Sequence, residues 1–357
     1  MKWFLNPLKF RFFASILRMQ NKWIKGILTA GIVFLVGVLW LFVFQKVQLV
    51  DRKSPTQSIF KLKIDSNWTN ERLNSVVSDS LNVYFPGGIS FWLNFLNYEI
   101  TPCKIEISNQ DDAYTLLKKI HRSRNQTVNL IIRSSYYKEG FCKSIENQIG
   151  INKADLETYL NDSHIVDKQI ITSTNWPVFI IPNTYNIQYN ITVTDFFKRM
   201  IHESTSFWNS ERIKKLNSQK LTVLEAISIA SIVEKESSKI AEYENIAGVY
   251  INRYRKNMKL QADPTIVFIK GKAERVLKED TKIESPFNTY LYKGLPPGPI
   301  CIPSIQAIEA VLNYTHHDFL YFCAKSDFSG YHIFESDYAR HLQNARKFHQ
   351  ALNQLEK

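Results

Sequence analysis

Two glutamates stand two residues apart in the segment VEKES at positions 233–237, close to the end of an apolar run. If the run is helical, positions two apart point about 200° away from each other, so only one glutamate can face a given cleft. Glu236 falls on the apolar face, with Ile232 and Val233. A carboxyl group among apolar side chains keeps its proton more tightly, which raises its pKa and makes it a usable general acid near neutral pH. The alternative is that Glu234 and Glu236 are ordinary glutamates on an exposed helix face.

Two polar segments follow the acidic pair: LQADPT at 260–265, and NTY at 288–290, which leads into GLPPGP at 294–299. They place amide, carboxylate and hydroxyl groups on stiff, turn-forming backbone, as a cleft that binds sugar requires. The alternatives are that 294–299 is only a connecting turn and that His332, in a predicted strand, is a structural histidine. The candidate substrate-binding residues are Gln261, Asp263, Thr265, Asn288, Tyr290 and His332.

The cysteines do not indicate a metal site. The chain has four, and none lies in a CxxC pair or at a zinc-ligand spacing from a histidine. We therefore expect no metal and no cofactor. One or two disulfides remain open in an oxidising compartment, although buried free thiols are the simpler interpretation. The four are Cys103, Cys142, Cys301 and Cys323.

An uncharged, mostly apolar stretch runs from Gly26 to Gln45. About 20 residues at 1.5 Å rise match the ~30 Å hydrocarbon core of a bilayer. Six basic residues precede the stretch, so the positive-inside rule places residues 1–22 in the cytoplasm and everything beyond the span outside. We predict an uncleaved transmembrane helix over 23–46. A cleaved signal peptide is the alternative, but no small-residue cleavage site follows.

The formal net charge of +12 favours anionic partners such as nucleic acid, a lipid surface or an acidic polymer. Nucleic acid is not expected, because the positive charge is scattered along the chain and the chain is predicted to be exported.

Periodicity divides the exported part into three regions. Residues 47–135 form a stalk and a small α+β module, with strands at 59–64, 104–107 and 127–132 and helices at 70–84, 89–97 and from 113. A connecting region, 136–217, has helices at 144–149, 153–161 and 194–210 and a strand at 178–185. The last region, 218–357, has helices at 222–237, 240–256, 304–312 and 337–355, strands at 319–323 and 331–334, and loops elsewhere. A capping box, Thr222 with Glu225, begins the helix that carries Glu236.

The polar segments resemble the endolytic murein transglycosylase family, also called the MltG or YceG-like family. Residues 230–237, 260–265, 288–300 and 319–322 match its motifs in order and spacing, as does His332 with Phe334. Residues 181–185 resemble a Pro-Asp-Thr-Tyr element less closely, because Asn183 stands where the family has Asp. Over 47–175 the resemblance is limited to the architecture, an anchor followed by a LysM-like module.

The resemblance implies an α+β protein. It has a single N-terminal transmembrane helix, a small LysM-like α+β module, and a mixed α/β catalytic domain with a helix-borne glutamate. The implied location is the inner membrane with the catalytic domain periplasmic. The implied reaction cleaves the β-1,4 bond between N-acetylmuramic acid (MurNAc) and N-acetylglucosamine (GlcNAc) inside nascent glycan strands. It leaves 1,6-anhydro-MurNAc ends and terminates strand elongation. Glu236 falls on the catalytic glutamate. The implied partners are peptidoglycan glycan strands, the membrane and penicillin-binding protein synthases.

Two other interpretations remain open. A non-catalytic, membrane-anchored glycan-binding scaffold of the cell-wall synthesis machinery would tolerate replacement of Glu236. A hydrolase with two carboxylates, Glu236 and Asp263, would leave reducing ends instead of anhydro ends.

Overall fold

The computed structural model describes residues 26–27, 29–37, 59–64, 68–81, 93, 103–108, 111, 113–134, 138–272 and 274–355. Among these residues, none of the helices has the length and apolar character needed to cross a membrane. Much of the predicted span over 23–46 lies outside the described residues. The contacts divide the chain into two compact units, Met1–Arg124 and Asn125–Lys357.

The first unit contains a two-stranded antiparallel sheet with two helices in the described part that follows residue 58. Strand β1 (Ile59–Ile64) pairs with β2 (Cys103–Ser108), and the helices are α1 (Asn70–Leu81) and α2 (Ala113–Arg122). Alternate residues of both strands are buried, and α2 contributes its apolar face to the same unit. The strands predicted at 59–64 and 104–107 and the helices predicted at 70–84 and from 113 are confirmed over the residues that the structure describes. The helix predicted over 89–97 lies outside the described residues, apart from Leu93. The likeness to a LysM module stays a prediction.

The second unit begins with a sheet that sequence analysis assigned to two different regions. Strand β3 (Thr127–Ile132), placed in the small module, pairs antiparallel with β6 (Asn183–Gln188). Between them come α3 (Lys138–Gln148), α4 (Lys153–Asn161) and the hairpin of β4 (His164–Val166) with β5 (Gln169–Ile171). Helix α5 (Val193–Phe207) packs on this part and completes an apolar core.

The strand predicted over 178–185 is wrong at its start. Trp176–Phe179 forms a 3-10 turn, and the strand begins only at Asn183. Pro177 and Pro182 explain the difference, because a proline has no N–H to donate to a sheet. The apolar residues of this segment are buried by packing against helices instead.

The remaining elements surround a second core. They are α6 (Ser210–Gln219), α7 (Val223–Glu236), α8 (Tyr243–Arg255), α9 (Asp263–Lys270), α10 (Ile305–Leu312), β7 (Tyr321–Ala324), β8 (His332–Glu335) and α11 (Tyr338–Leu355). Strands β7 and β8 form an antiparallel hairpin. The predicted helices at 222–237, 304–312 and 337–355 are confirmed to within one residue. Two helices were not predicted: α9, where residues 263–270 were expected to form a loop, and α6.

Helix α7 is the centre of this core, and the sequence explains why. Every residue from Ala226 to Val233 is buried, so the helix is apolar around its whole circumference. The predicted capping box is present. The Thr222 hydroxyl accepts from the Glu225 N–H at 3.2 Å, and the Glu225 carboxylate accepts from the Thr222 N–H at 2.7 Å. Helices α8, α9 and α10 pack against α7. The last residue of this enclosed helix is Glu236.

Candidate active site

Glu236 ends α7 and is half-buried. The next residue, Ser237, has extended backbone angles, so the helix stops at the carboxylate. The hydroxyl of Tyr250 on α8 donates a hydrogen bond to Glu236 Oε1. One oxygen of the carboxylate is thereby fixed, and the other remains for chemistry.

The surroundings of Glu236 raise its pKa from 4.5 to about 7. Burial is the largest cause, since it disfavours the charged form. The hydrogen bond from Tyr250 acts in the opposite direction, the charge of Asp263 raises the pKa further, and that of Arg253 lowers it. Burial also raises the pKa of Tyr250 well above its usual range, so its hydroxyl stays protonated. Near neutral pH, Glu236 can therefore both donate and accept a proton, as its place in the sequence predicted.

Glu234 points elsewhere. Its carboxylate accepts a hydrogen bond from the backbone N–H of Ser304, the residue that caps α10. Glu234 thus joins α7 to α10 and has a structural role. The separation of the two glutamates around the helix, expected from their spacing, is confirmed.

Asp263 and Tyr290 form a second polar pair beside Glu236. The Tyr290 hydroxyl donates to Asp263 Oδ1 at 2.5 Å. Burial, followed by this hydrogen bond, raises the pKa of Tyr290 well above its usual range, and the charge of Glu236 contributes. Asp263 is exposed as the first residue of α9. Asp263 and Tyr290 both interact electrostatically with Glu236, so the structure brings these three predicted residues together.

Gln261 lies in the chain segment that enters α9. Its backbone adopts a left-handed conformation with φ of 50°, and its N–H donates to Thr289 O at 3.1 Å. The side chain is exposed and two residues from Asp263. An exposed side chain at this position can contact a bound sugar chain.

Thr265 and Asn288 do not fit the predicted direct contact with substrate, because both side chains are fully buried. The Thr265 hydroxyl donates to Ala262 O at 2.7 Å and lies 2.9 Å from the Thr289 hydroxyl. The Asn288 amide donates to two carbonyls of residues 281–283, and its oxygen accepts from the Tyr290 N–H at 2.8 Å. These hydrogen bonds join the segments at 260–265 and 288–290 and fix the backbone position of Tyr290.

His332 lies on β8 and is fixed by Glu242. The Glu242 carboxylate accepts from the His332 backbone N–H at 2.7 Å and contacts His332 Nδ1 at 2.9 Å. Its Oε2 also lies 3.3 Å from the Ser237 hydroxyl. Glu242 therefore links the β7–β8 hairpin to the residue that follows Glu236. His332 has a structural role in this link.

Sequence reasoning did not identify Tyr250, Glu242 and Arg253, which interact with Glu236 or with the residue that follows it. Both Tyr250 and Glu242 fall inside the helix predicted over 240–256, where Tyr250 looks like an apolar position and Glu242 gives no signal of its own. Arg253 is buried, and it donates to Leu320 O at 2.5 Å and Leu260 O at 2.7 Å. A polar residue on an otherwise apolar helix face is the one signal that Tyr250 and Arg253 share.

In the part of the chain that the structure describes, no group of three or more His, Cys, Asp or Glu side chains is arranged to hold a metal ion. All four cysteines are free thiols, and three of them are buried. Burial raises the pKa of Cys142 to about 11 and that of Cys301 to about 12, so both are unreactive as nucleophiles.

Comparison with known proteins identifies the family of the chain. Residues 71–347, well over half of the chain, match the sequence profile of the YceG-like family. Over 178 residues the chain is 34% identical to the endolytic murein transglycosylase of Bacillus subtilis (strain 168). The aligned residues cover 49% of each chain. Over 156 residues it is 38% identical to the endolytic murein transglycosylase of Streptococcus pneumoniae (strain R6), covering 41% of this chain and 27% of that one. The chain thus spans about half or less of the length of these curated relatives.

The fold has a counterpart among solved structures. The crystal structure of a YceG-like protein from Listeria monocytogenes superposes with a TM-score of 0.53 and covers 81% of this chain and 99% of that one. At 22% sequence identity, this likeness shows a shared fold.

Proposed function

This chain belongs to the YceG-like family, and we propose that it is an endolytic transglycosylase of peptidoglycan. It cleaves the β-1,4 bond between MurNAc and GlcNAc within glycan strands and leaves 1,6-anhydro-MurNAc ends. The names of its relatives support the reaction class. The observation that carries the proposal is the single half-buried carboxyl of Glu236, whose pKa of about 7 suits both proton donation and proton uptake.

Glu236 acts first as an acid and then as a base. The protonated carboxyl gives its proton to the glycosidic oxygen, and the C1–O bond breaks with the electron pair leaving on that oxygen. The resulting carboxylate then removes the proton of the C6 hydroxyl on the same muramyl ring, whose oxygen attacks C1. The anhydro bond forms, the proton is back on Glu236, and no water is consumed. Most glycosidases need two carboxylates, whereas these reaction steps need only that of Glu236.

The neighbours of Glu236 position the reacting groups. Tyr250 fixes one carboxylate oxygen and offsets part of the cost of its negative charge. Asp263 and Tyr290 present a fixed negative group beside the position where positive charge develops on the sugar ring. Gln261 contributes an exposed amide to the glycan. His332 holds the hairpin that closes this side of the site.

The cellular setting is also a proposal and rests on the sequence. The uncharged stretch within 23–46 anchors the chain in the inner membrane, with residues 1–22 cytoplasmic and the catalytic part periplasmic. There the enzyme terminates the growth of nascent strands, next to penicillin-binding protein synthases.

Two glutamine variants of α7 test the role of Glu236. Glu236→Gln keeps an oxygen for the Tyr250 hydrogen bond but cannot donate a proton to the glycosidic oxygen. We expect the rate of glycan cleavage to fall by at least about 100-fold. Glu234→Gln is the matched control, because its amide oxygen can still accept from Ser304 and its cleavage rate should stay close to wild type.

Uncrosslinked glycan strands serve as substrate for the full-length protein in mild detergent, with products identified by mass spectrometry. Equal rates for wild type and Glu236→Gln would exclude Glu236 as the acid. Strand binding without cleavage by any of the proteins would instead indicate the scaffold.

A further inference from the structure

Two lysines meet at the ring of Tyr331, at the tip of the β7–β8 hairpin. Lys239 Nζ lies 5.3 Å and Lys325 Nζ 5.8 Å from the ring centroid, both within the range of a cation–π contact. Tyr331 is 39% exposed, and both lysines are half-buried. We call Lys239, Lys325 and Tyr331 the lysine–tyrosine patch.

Contacts with the backbone of the hairpin hold the patch in place. Lys325 N donates to Tyr331 O at 2.9 Å, which closes the loop between the two strands. Gly330 has a φ of 77°, and a Cβ added there would lie 3.2 Å from Cε of Lys239. The stem of Lys239 therefore lies across the backbone of this glycine. Lys239 N also donates to the Ser237 hydroxyl at 3.0 Å, which fixes the start of its segment.

Among the residues that the structure describes, nearby negative charge neutralises only part of the positive charge of the patch. No ion pair joins Lys239 or Lys325 to a carboxylate among these residues. Asp327 lies on the same loop and its charge interacts with that of Lys325, while its Oδ1 accepts from the backbone N–H and the hydroxyl of Ser329 at 3.0 and 2.7 Å. Two ammonium groups on one aromatic ring, with a single carboxylate acting on Lys325, leave a net positive charge that suits an anion.

The patch is tied to the catalytic glutamate from both sides. Lys239 lies three residues after Glu236, and its backbone N–H donates to the hydroxyl of Ser237, the residue next to Glu236. On the other side, Tyr331 precedes His332, whose N–H donates to Glu242 at 2.7 Å. The Ser237 hydroxyl lies 3.3 Å from the same Glu242 carboxylate. Both routes place the patch at the margin of the site that contains Glu236.

We propose that Lys239 and Lys325, held against Tyr331, bind a carboxylate of the peptide carried by the muramyl residue that Glu236 attacks. This rests on the proposed function. In that reaction the anhydro ring forms on the muramyl sugar, so the peptide on its lactyl group must pass close to Glu236. Such peptides carry free carboxylates, and the patch offers two cations at the edge of the site to receive them. The enzyme therefore prefers glycan that still bears peptides.

The test compares two substrates and four proteins. Full-length wild type, Lys239→Gln/Lys325→Gln and Lys239→Arg/Lys325→Arg are assayed on strands that bear peptides and on strands stripped of them by an amidase. Lys278→Gln removes a positive charge from an exposed position and serves as the matched control. The glutamine pair should raise KM for peptide-bearing strands about tenfold, with kcat within about twofold of wild type. KM for stripped strands should not change, and the arginine pair should stay close to wild type.

An equal loss on both substrates, or no change on either, would overturn the proposal. Binding of a soluble peptide-bearing disaccharide is measured on the same proteins by calorimetry, because it needs no cleavage. If wild type cleaves neither substrate, the proposed function fails. The proposal for the lysine–tyrosine patch is then supported only if Lys239→Gln/Lys325→Gln weakens this binding, and it is refuted if the binding is unchanged.

Discussion

Replacing Glu236 by glutamine should stabilise the folded protein at alkaline pH while it abolishes cleavage. The pKa of Glu236 is 4.5 in an unfolded chain and about 7 in the folded protein. Between these values the folded state keeps a proton that the unfolded state has lost. The free energy of unfolding therefore falls as pH rises through this window and stays lower above it. Glutamine is neutral at every pH and lacks this loss.

The size of the effect follows from the difference in pKa. A shift of about 2.5 units at ~1.4 kcal/mol per unit gives an upper bound of about 3 kcal/mol. Partial exposure of the carboxylate to water reduces this to about 2 kcal/mol. The amide oxygen of the glutamine keeps the hydrogen bond from Tyr250, so the substitution adds no unpaired donor.

Urea unfolding of the full-length proteins in mild detergent, followed by intrinsic fluorescence, measures this difference. At about pH 8.5 the Glu236→Gln variant should be more stable by about 2 kcal/mol, and near pH 4 the two proteins should be equal. A constant difference at both pH values, or a less stable variant at the higher one, would refute a raised pKa.

Three further predictions concern Tyr250, the close backbone approach at Gly298 and the cysteines. Tyr250→Phe removes a hydrogen bond that lowers the pKa of Glu236, so the alkaline limb of the pH–rate profile, with its midpoint near 7 in wild type, should move to higher pH; an unchanged limb would contradict this role. Gly298→Ala places a Cβ 2.1 Å from Thr174 O and should destabilise the protein by about 2 kcal/mol in thermal unfolding. Gly294→Ala is its control, because there the added Cβ meets no atom within 4 Å and only the φ of 87° costs about 1 kcal/mol; equal losses would contradict the packing argument. All four cysteines should react with a thiol reagent after unfolding without reductant, and at most one in the native protein, since three are buried and all are free; fewer than four after unfolding would indicate a disulfide.

Local signals were sufficient for the elements that carry Glu236. The capping box at Thr222 and the unbroken apolar run located α7, and the two-residue spacing separated Glu234 from Glu236. Each of these depends on residues within one or two helical turns, where period and capping decide the structure.

The failures depend on contacts between distant residues. The segment at 263–270 looked like a loop because of Asp263-Pro264, yet proline suits the first turn of a helix, and Thr289 completes the start of α9 by accepting from the Ala262 N–H at 3.0 Å. Thr265 and Asn288 looked like sugar ligands because their side chains are polar. Their partners lie on loops up to 24 residues away, so only the folded chain shows that they point inward.

The most direct test of the central claim is the fate of water during cleavage. The full-length protein digests uncrosslinked glycan strands in water enriched in oxygen-18, and mass spectrometry identifies the new ends. If Glu236 alone acts as acid and then base, internal fragments end in 1,6-anhydro-MurNAc, one water lighter than a reducing end and free of oxygen-18. Reducing ends that carry one oxygen-18 would contradict the account, because a water would then have attacked C1.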